Sequence, residues 1–286
     1  MSKLSFGTAQ IGMNYGIGNR SGRISNKDLI KIFNTLKKNN IDSIDTSLNY
    51  GNVEKRINLF NLKKFKITTK FKIPKKIKHV DKWIINSIQK SKKNLKIRKF
   101  YGILIHDISD LFRYKKEIIF ALKKLKKDKI VKKIGISIYS INDFNKIEKF
   151  WKPDIIQIPL NVFDQRIILN NWIKKIKKKN IEIHVRSVFL QGILLLEKNQ
   201  LAEKKFIRFK KKLNQWILWC KKNKQSKLSG SLNFVKKFNE INKVVIGVDN
   251  FSQFQEILNL YKLPYKISSY KKLNSSNLQL IDPRKW

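Results

Sequence analysis

Two kinds of apolar segment alternate along this chain. Short runs rich in β-branched residues occupy Leu4–Thr8, Ile41–Asp45, Lys66–Phe71, Tyr101–His106, Lys133–Ile138, Ile155–Leu160, Ile181–Val188 and Val244–Val248. Runs of this length, bounded by polar stretches, are the pattern of buried strands. Between them lie longer lysine-studded stretches whose apolar residues fall at helical spacing. In Lys115–Lys129, Ile118, Ile119, Leu122 and Leu125 form one stripe and the lysines take the other face. The first helix opens at Ser25-Asn26-Lys27-Asp28, with Asn26 read as its N-cap.

Strands and helices alternating eight times over about 250 residues predict an α/β fold, a single-domain (β/α)8 TIM barrel. The rival is an open doubly wound sheet. Its Gly-x-Gly-x-x-Gly fingerprint is missing after the first strand, where the chain reads Gly7-Thr8-Ala9-Gln10-Ile11-Gly12. The barrel is expected to take residues 1–264, with residues 265–286 as a tail packed over it. The interval Gln191–Gly230 has room for a loop and one or two helices, one of them containing Gln215-Trp216-Ile217-Leu218-Trp219.

Composition narrows the setting more than the chemistry. At 42% hydrophobic, the 286 residues suffice for one sizeable core. No apolar run approaches the roughly 20 residues of a membrane-spanning helix, and the N-terminus lacks a signal-peptide core. Cys220 is the only cysteine, which excludes an intramolecular disulfide and a Cys-rich metal site. A cytoplasmic protein is expected. The formal charge of +44 raises the alternative of a polyanion partner. Lysine outnumbers arginine 55 to 9, however, whereas base readout leans on the guanidinium. The lysines also spread over nearly every predicted helix. No specific nucleic-acid partner follows, and a bias toward Lys, Ile, Asn and Phe with only three alanines is what an AT-rich coding sequence gives. His79, His106 and His184 lack a ligand spacing, so no metal is expected.

Barrels of this type gather their chemistry at the C-terminal ends of the strands. The second strand ends in Asp45, with Tyr50 five residues on; the third carries Lys70 and the fourth His106. Hydride delivered to a carbonyl carbon leaves an alkoxide that needs a proton. A free tyrosine, with a pKa of about 10, donates poorly near neutrality, and a neighbouring ammonium is expected to lower that value. Asp45 would orient Lys70 through an ion pair, and His106 would hydrogen-bond the carbonyl oxygen.

These residues carry a resemblance. Ile44-Asp45-Thr46-Ser47-Leu48-Asn49-Tyr50-Gly51 resembles the aspartate-to-tyrosine signature of the aldo-keto reductase superfamily, Thr69-Lys70-Phe71 its lysine strand, and Leu104-Ile105-His106-Asp107 its histidine strand. The likeness runs from Phe6 to about Leu258. It implies an NAD(P)-dependent enzyme reducing an aldehyde or ketone, with Asp45, Tyr50, Lys70 and His106 catalytic and Tyr50 the proton donor. Cofactor contacts are implied at Gly7 and Thr8, at Ser137 and Gln157 for the nicotinamide carboxamide, and at Ser187 and Gly192 for the pyrophosphate. Gly247, Asp249, Gln253 and Glu256 are implied for the adenosine end. Asn161 resembles a loop asparagine common in microbial members.

Several positions depart from the family pattern. Ile138 replaces a frequent asparagine. Arg186 precedes the serine of the seventh strand, where it is read either as a contact for phosphate or an anionic substrate, or as a simple ion pair. Asp249, Gln253 and Ile257 stand in place of a serine, an arginine and an asparagine. A carboxylate and a missing guanidinium argue against a 2′-phosphate, which leaves NADP or NAD open. Gly7–Gln10, Asn14–Ile17, Arg186–Gly192 and Ile281–Trp286 are similar to a bacterial branch associated with surface-polysaccharide gene clusters, making a sugar-derived carbonyl one candidate substrate. The alternative function is a cofactor-binding barrel with little turnover, a sensor or scaffold. The sequence leaves the oligomeric state open.

Overall fold

The computed structural model describes residues 3–197, 199–200 and 204–286. Met1, Ser2 and part of the Gln191–Gly230 interval thus lie outside the described residues. In chain order the elements are β1 (Leu4–Gly7), α1 (Ala9–Gly12), α2 (Asn26–Lys38), β2 (Ser43–Asp45), α3 (Val53–Ile57), β3 (Lys66–Phe71), α4 (Val80–Asn94), β4 (Phe100–Ile105), α5 (Ile108–Arg113) and α6 (Lys115–Lys127). There follow β5 (Val131–Ser137), α7 (Ile141–Ile147), β6 (Ile155–Pro159), α8 (Trp172–Lys178), β7 (Glu182–Arg186), α9 (Lys210–Lys222), α10 (Lys227–Lys236), β8 (Lys243–Ile246), α11 (Phe251–Lys262) and α12 (Leu278–Ile281). The eight strands pair in sequence order and all in parallel, and β1 against β8 closes the barrel. The chain therefore folds as a (β/α)8 TIM barrel.

Most of the expected strands overrun at their C-terminal ends. Thr8, His106, Ile138 and Leu160 lie just past the strands, although each still donates its amide to the neighbouring strand: Ile138 to Gln157 O at 2.9 Å, Leu160 to Arg186 O at 3.1 Å. Apolar character continues because Ile138, Leu160 and Val188 are buried beneath the loops at the barrel mouth. Periodicity follows burial, and burial outlasts the ladder there.

The helices form for the reason their spacing suggests. In α6, Ile118, Ala121, Leu122 and Leu125 are buried while the lysines face outward, and Ile119 sits at the boundary. The cap of α2 differs from expectation by one position. Ser25 Oγ accepts from Asp28 N at 3.0 Å, and Asn26 is the first helical residue. Asn26 Oδ1 instead accepts from Arg56, whose guanidinium also holds the carbonyls of Ile11 and Ile24, each at 2.6 Å. Arg56 thus ties the segment after β1 to the second βα unit.

Five helices stop in a left-handed residue that is not glycine: Asn40, Lys96, Lys129, Asn180 and Lys224, with φ between 50° and 58°. The next residue is Ile41, Ile97, Ile130 and Ile181 in four of them. In three of these the amide bonds back into the last turn, Ile41 to Leu36 O and Ile130 to Leu125 O at 3.0 Å and Ile97 to Lys92 O at 3.3 Å, and Gln225 after Lys224 does the same to Cys220 O. This is the Schellman arrangement, in which an apolar residue after the stop packs back on the helix.

Residues 265–286 contain short helical turns. Tyr270 is buried, donates its hydroxyl to Gly230 O at 3.1 Å and packs against Trp219. Ser275 donates its amide to Phe163 O at 2.9 Å. Among the described residues no helix is long and apolar enough to cross a membrane, and no group of His, Cys, Asp or Glu is arranged to hold a metal ion.

Candidate active site

Register brings the first polar cluster together. Asp45 of β2 pairs with Gly7 of β1 and Thr68 of β3. Lys70 stands two residues beyond Thr68, on the same face of β3. Its ammonium donates to Asp45 Oδ1 at 2.5 Å, and both side chains are almost wholly buried. From across the barrel, Gln157 of β6 donates its amide nitrogen to Asp45 Oδ2 at 2.7 Å. Both carboxylate oxygens are therefore occupied. The remaining Gln157 atom, Oε1, is buried without a partner among the described residues.

Tyr50 reaches the cluster from the turn after β2. Its amide donates to Ser47 O and its carbonyl packs against α1. A Cβ on Gly12 would lie 1.7 Å from Tyr50 O, so only glycine lets the α1 backbone approach this closely. The Tyr50 ring has Lys70 Nζ 5.5 Å from its centroid and the His106 ring edge-on at 6.0 Å. His106 Nδ1 lies 3.3 Å from Ser47 Oγ, which is also 3.0 Å from Lys70 O. The single hydroxyl proton of Ser47 serves one of these at a time, so Ser47 selects the His106 tautomer.

The charges do not act on Tyr50 as expected from sequence. Burial and the Asp45 carboxylate push its hydroxyl well above the usual tyrosine value, with Arg186 opposing them. Lys70 is paired with Asp45 at 2.5 Å, so its charge reaches the ring together with that of the carboxylate, and the carboxylate prevails. Burial also holds Lys70 below the ordinary ammonium value, against the pull of Asp45. Burial, reinforced by Lys70 and Arg186, drops His106 to about 3, so its ring is neutral at physiological pH.

A cleft opens from this cluster along the C-terminal rim. Gly7, Thr8, Asp45, Tyr50 and Gln157 line its floor end. Ser187, Gly192, Gly247, Asp249 and Gln253 line the rest of the wall. Lys70, His106 and Ser137 touch wall residues rather than line it: Lys70 through Asp45, His106 through Tyr50 and Ser137 through Arg186. Glu256 is exposed on α11, off the cleft. Asn161 binds the backbone instead, donating to Ser187 O at 3.1 Å and accepting from Phe163 N and Asp164 N.

Sequence reasoning did not assign the roof. Tyr15, Gly16, Gly18 and Asn19 line the cleft from the loop after α1, and Gln191 and Gly192 meet them from the loop after β7. Gly18 N donates to Gln191 O at 3.1 Å, and a Cβ on Gly18 would lie 3.1 Å from Gly192. The loops touch backbone to backbone, and the Gly16-Ile17-Gly18 spacing was the available signal. Ser187, Leu190, Gln191 and Gly192 all take positive φ, turning the β7 loop sharply over the cleft. The Val188 and Phe189 amides on this wall make no hydrogen bond among the described residues.

A partly enclosed cleft with unpaired donors at one end and a tyrosine, a neutral histidine and a charge-paired lysine at the other suits a long polar ligand and a proton transfer. A search of curated proteins finds no significant match. Among solved structures the chain is similar to an aldo-keto reductase, AKR11C1, from Bacillus halodurans, at a TM-score of 0.75 and 15% identity, covering 100% of this chain and 95% of that one. It is also similar to the glycerol dehydrogenase AKR11B4 from Gluconobacter oxydans, at a TM-score of 0.70 and 17% identity, covering 99% and 93%. At these identities the likeness speaks for the fold. The model of the Aldo/keto reductase family matches residues 3–278.

Proposed function

The chain belongs to the aldo/keto reductase family, and we propose that it reduces an aldehyde or ketone with Tyr50 as proton donor and Asp45, Lys70 and His106 supporting it. The family works with NAD or NADP. The bound nicotinamide supplies the hydride, and the protein supplies position and electrostatics.

The residues present fit such a cofactor. Gln157 Oε1, buried and unpartnered, is an acceptor suited to the carboxamide amide. One N–H of the Gln157 amide nitrogen is taken by Asp45. The unpaired Val188 and Phe189 amides suit a pyrophosphate, with Ser187 and Gly192 beside them. Gly7, Thr8, Gly247, Asp249 and Gln253 belong to the same wall. The Asp249 carboxylate, with no guanidinium paired to it among the described residues, favours NADH over NADPH, because a 2′-phosphate would meet like charge there.

As the carbonyl carbon is reduced, its oxygen gains negative charge and takes a proton from the Tyr50 hydroxyl. An alkoxide is far more basic than a phenolate, so this transfer runs downhill even with the hydroxyl value raised. His106 is neutral and offers a hydrogen bond to the carbonyl oxygen through Nε2 when Ser47 donates to Nδ1. Lys70, fixed by Asp45, stands under the ring face and offsets part of what the carboxylate costs the phenolate left behind. A sugar-derived substrate and a cytosolic setting are part of the same reading.

The observation that carries the proposal is the buried Lys70–Asp45 pair within 5.5 Å of the Tyr50 ring, with His106 edge-on to that ring. The test is titration of the protein with NADH and with NADPH, followed by a panel of aldehydes and keto sugars. Nucleotide binding with carbonyl-dependent oxidation that Tyr50→Phe abolishes is the expected result. Binding without turnover on any carbonyl would favour a sensor role, and no binding of either nucleotide would overturn the assignment.

A further inference from the structure

Arg186 ends β7 with its guanidinium on the wall of the same cleft. Among the described residues no carboxylate lies within salt-bridge distance of it. The acidic groups in this part of the molecule already have partners. Asp45 is shared by Lys70 and Gln157, Asp164 is held by two nitrogens of Arg166, and Asp282 by two of Arg284. Arg186 meets only neutral groups: Ser137 Oγ, Ser187 Oγ and Ile138 O, each at 3.3 Å. Those contacts use Nε and one proton on each terminal nitrogen. One N–H therefore remains on Nη1 and one on Nη2, available to an oxyanion.

The guanidinium is also held in place. It stacks on the Tyr139 ring at 4.1 Å, and Arg284 packs on the same ring at 3.6 Å. Its charge reaches all four neighbouring groups, helping to depress Lys70 and His106 and opposing the rise of Tyr50 and Tyr15. A half-buried cation with no counter-ion, beside the reacting end of a cleft, is costly unless a ligand pairs it.

We propose that the substrate carries an oxyanion, a carboxylate or a phosphate, close to its carbonyl, and that Arg186 receives it. The inference rests on the carbonyl-reductase reading for where the reaction occurs. It goes beyond that reading in naming the substrate's charge.

Two matched pairs test it, read as the ratio of kcat/KM within each pair: 4-carboxybenzaldehyde against its methyl ester, and glyceraldehyde 3-phosphate against glyceraldehyde. The native protein is expected to favour the charged member of at least one pair by about 30-fold, the order of a charge-assisted hydrogen bond. Arg186→Gln should abolish that preference and Arg186→Lys should keep part of it. Which pair responds separates carboxylate from phosphate. An equal ratio in the native protein and Arg186→Gln would overturn the proposal. So would a loss of NADH and NADPH affinity in Arg186→Gln with the ratio retained, which would give Arg186 to the cofactor. Calorimetric titration with 4-(hydroxymethyl)benzoate needs no turnover: Arg186-dependent binding without reduction of any carbonyl would keep the anion site while removing the reductase reading.

Discussion

Gln157 reaches across the barrel to donate its side-chain amide to the Asp45 carboxylate at 2.7 Å, on the oxygen that Lys70 leaves free. The two residues are 112 positions apart in the chain. Each carboxylate oxygen thereby holds a partner, and the buried lysine is paired to a group fixed from both sides. A buried ion pair of this kind adds little net stability, but breaking it leaves a bare charge in the core.

Asp45→Asn and Lys70→Met should each lower stability by about 3 kcal/mol, because each strands the other's charge. The double variant should cost clearly less than the sum. Urea unfolding of the four proteins measures this, and additive losses would mean that the pair is not coupled.

Gly12→Ala tests how Tyr50 is positioned. The new methyl would meet the Tyr50 carbonyl, which is backbone and must move with its side chain. A displacement of about 1 Å is expected to lower kcat by about 100-fold while nucleotide affinity holds within a few-fold. Turnover equal to that of the native chain would show that this close approach does not set the tyrosine.

Stability should depend on pH through His106. Its folded-state value, about 3, lies below its unfolded value of 6.5, so the unfolded chain takes up a proton that the folded one refuses. The contribution is complete above about pH 6.5 and is lost as pH falls toward 3, by up to about 1.4 kcal/mol per pH unit. Denaturant unfolding between pH 4.5 and 7.5 should give a steeper slope for the native protein than for His106→Asn. Parallel slopes would contradict the burial of a neutral ring.

Much of the barrel is legible in the sequence because each strand is a short apolar run and each helix has a lysine-free stripe. Asp45, Lys70 and His106 could be placed together because each stands at or near the end of a strand next in order. The direction of the Tyr50 shift was not legible. Whether Lys70 or Asp45 dominates depends on how the two charges of a 2.5 Å ion pair are disposed about the ring, and spacing carries no such distance. The Gln157–Asp45 bond spans opposite sides of the barrel, where no local pattern records it. The roof loops escaped for a related reason: Gly18 and Gly192 matter through each other.

The left-handed helix ends bear on how such a chain can change. Glycine is the residue best suited to those five stops, yet asparagine and lysine hold them, with isoleucine next in four cases. At these stops a buried or half-buried isoleucine shares the ending of the helix with the left-handed residue before it. A chain poor in glycine and rich in isoleucine, asparagine and lysine can therefore end its helices with the residues it has in plenty.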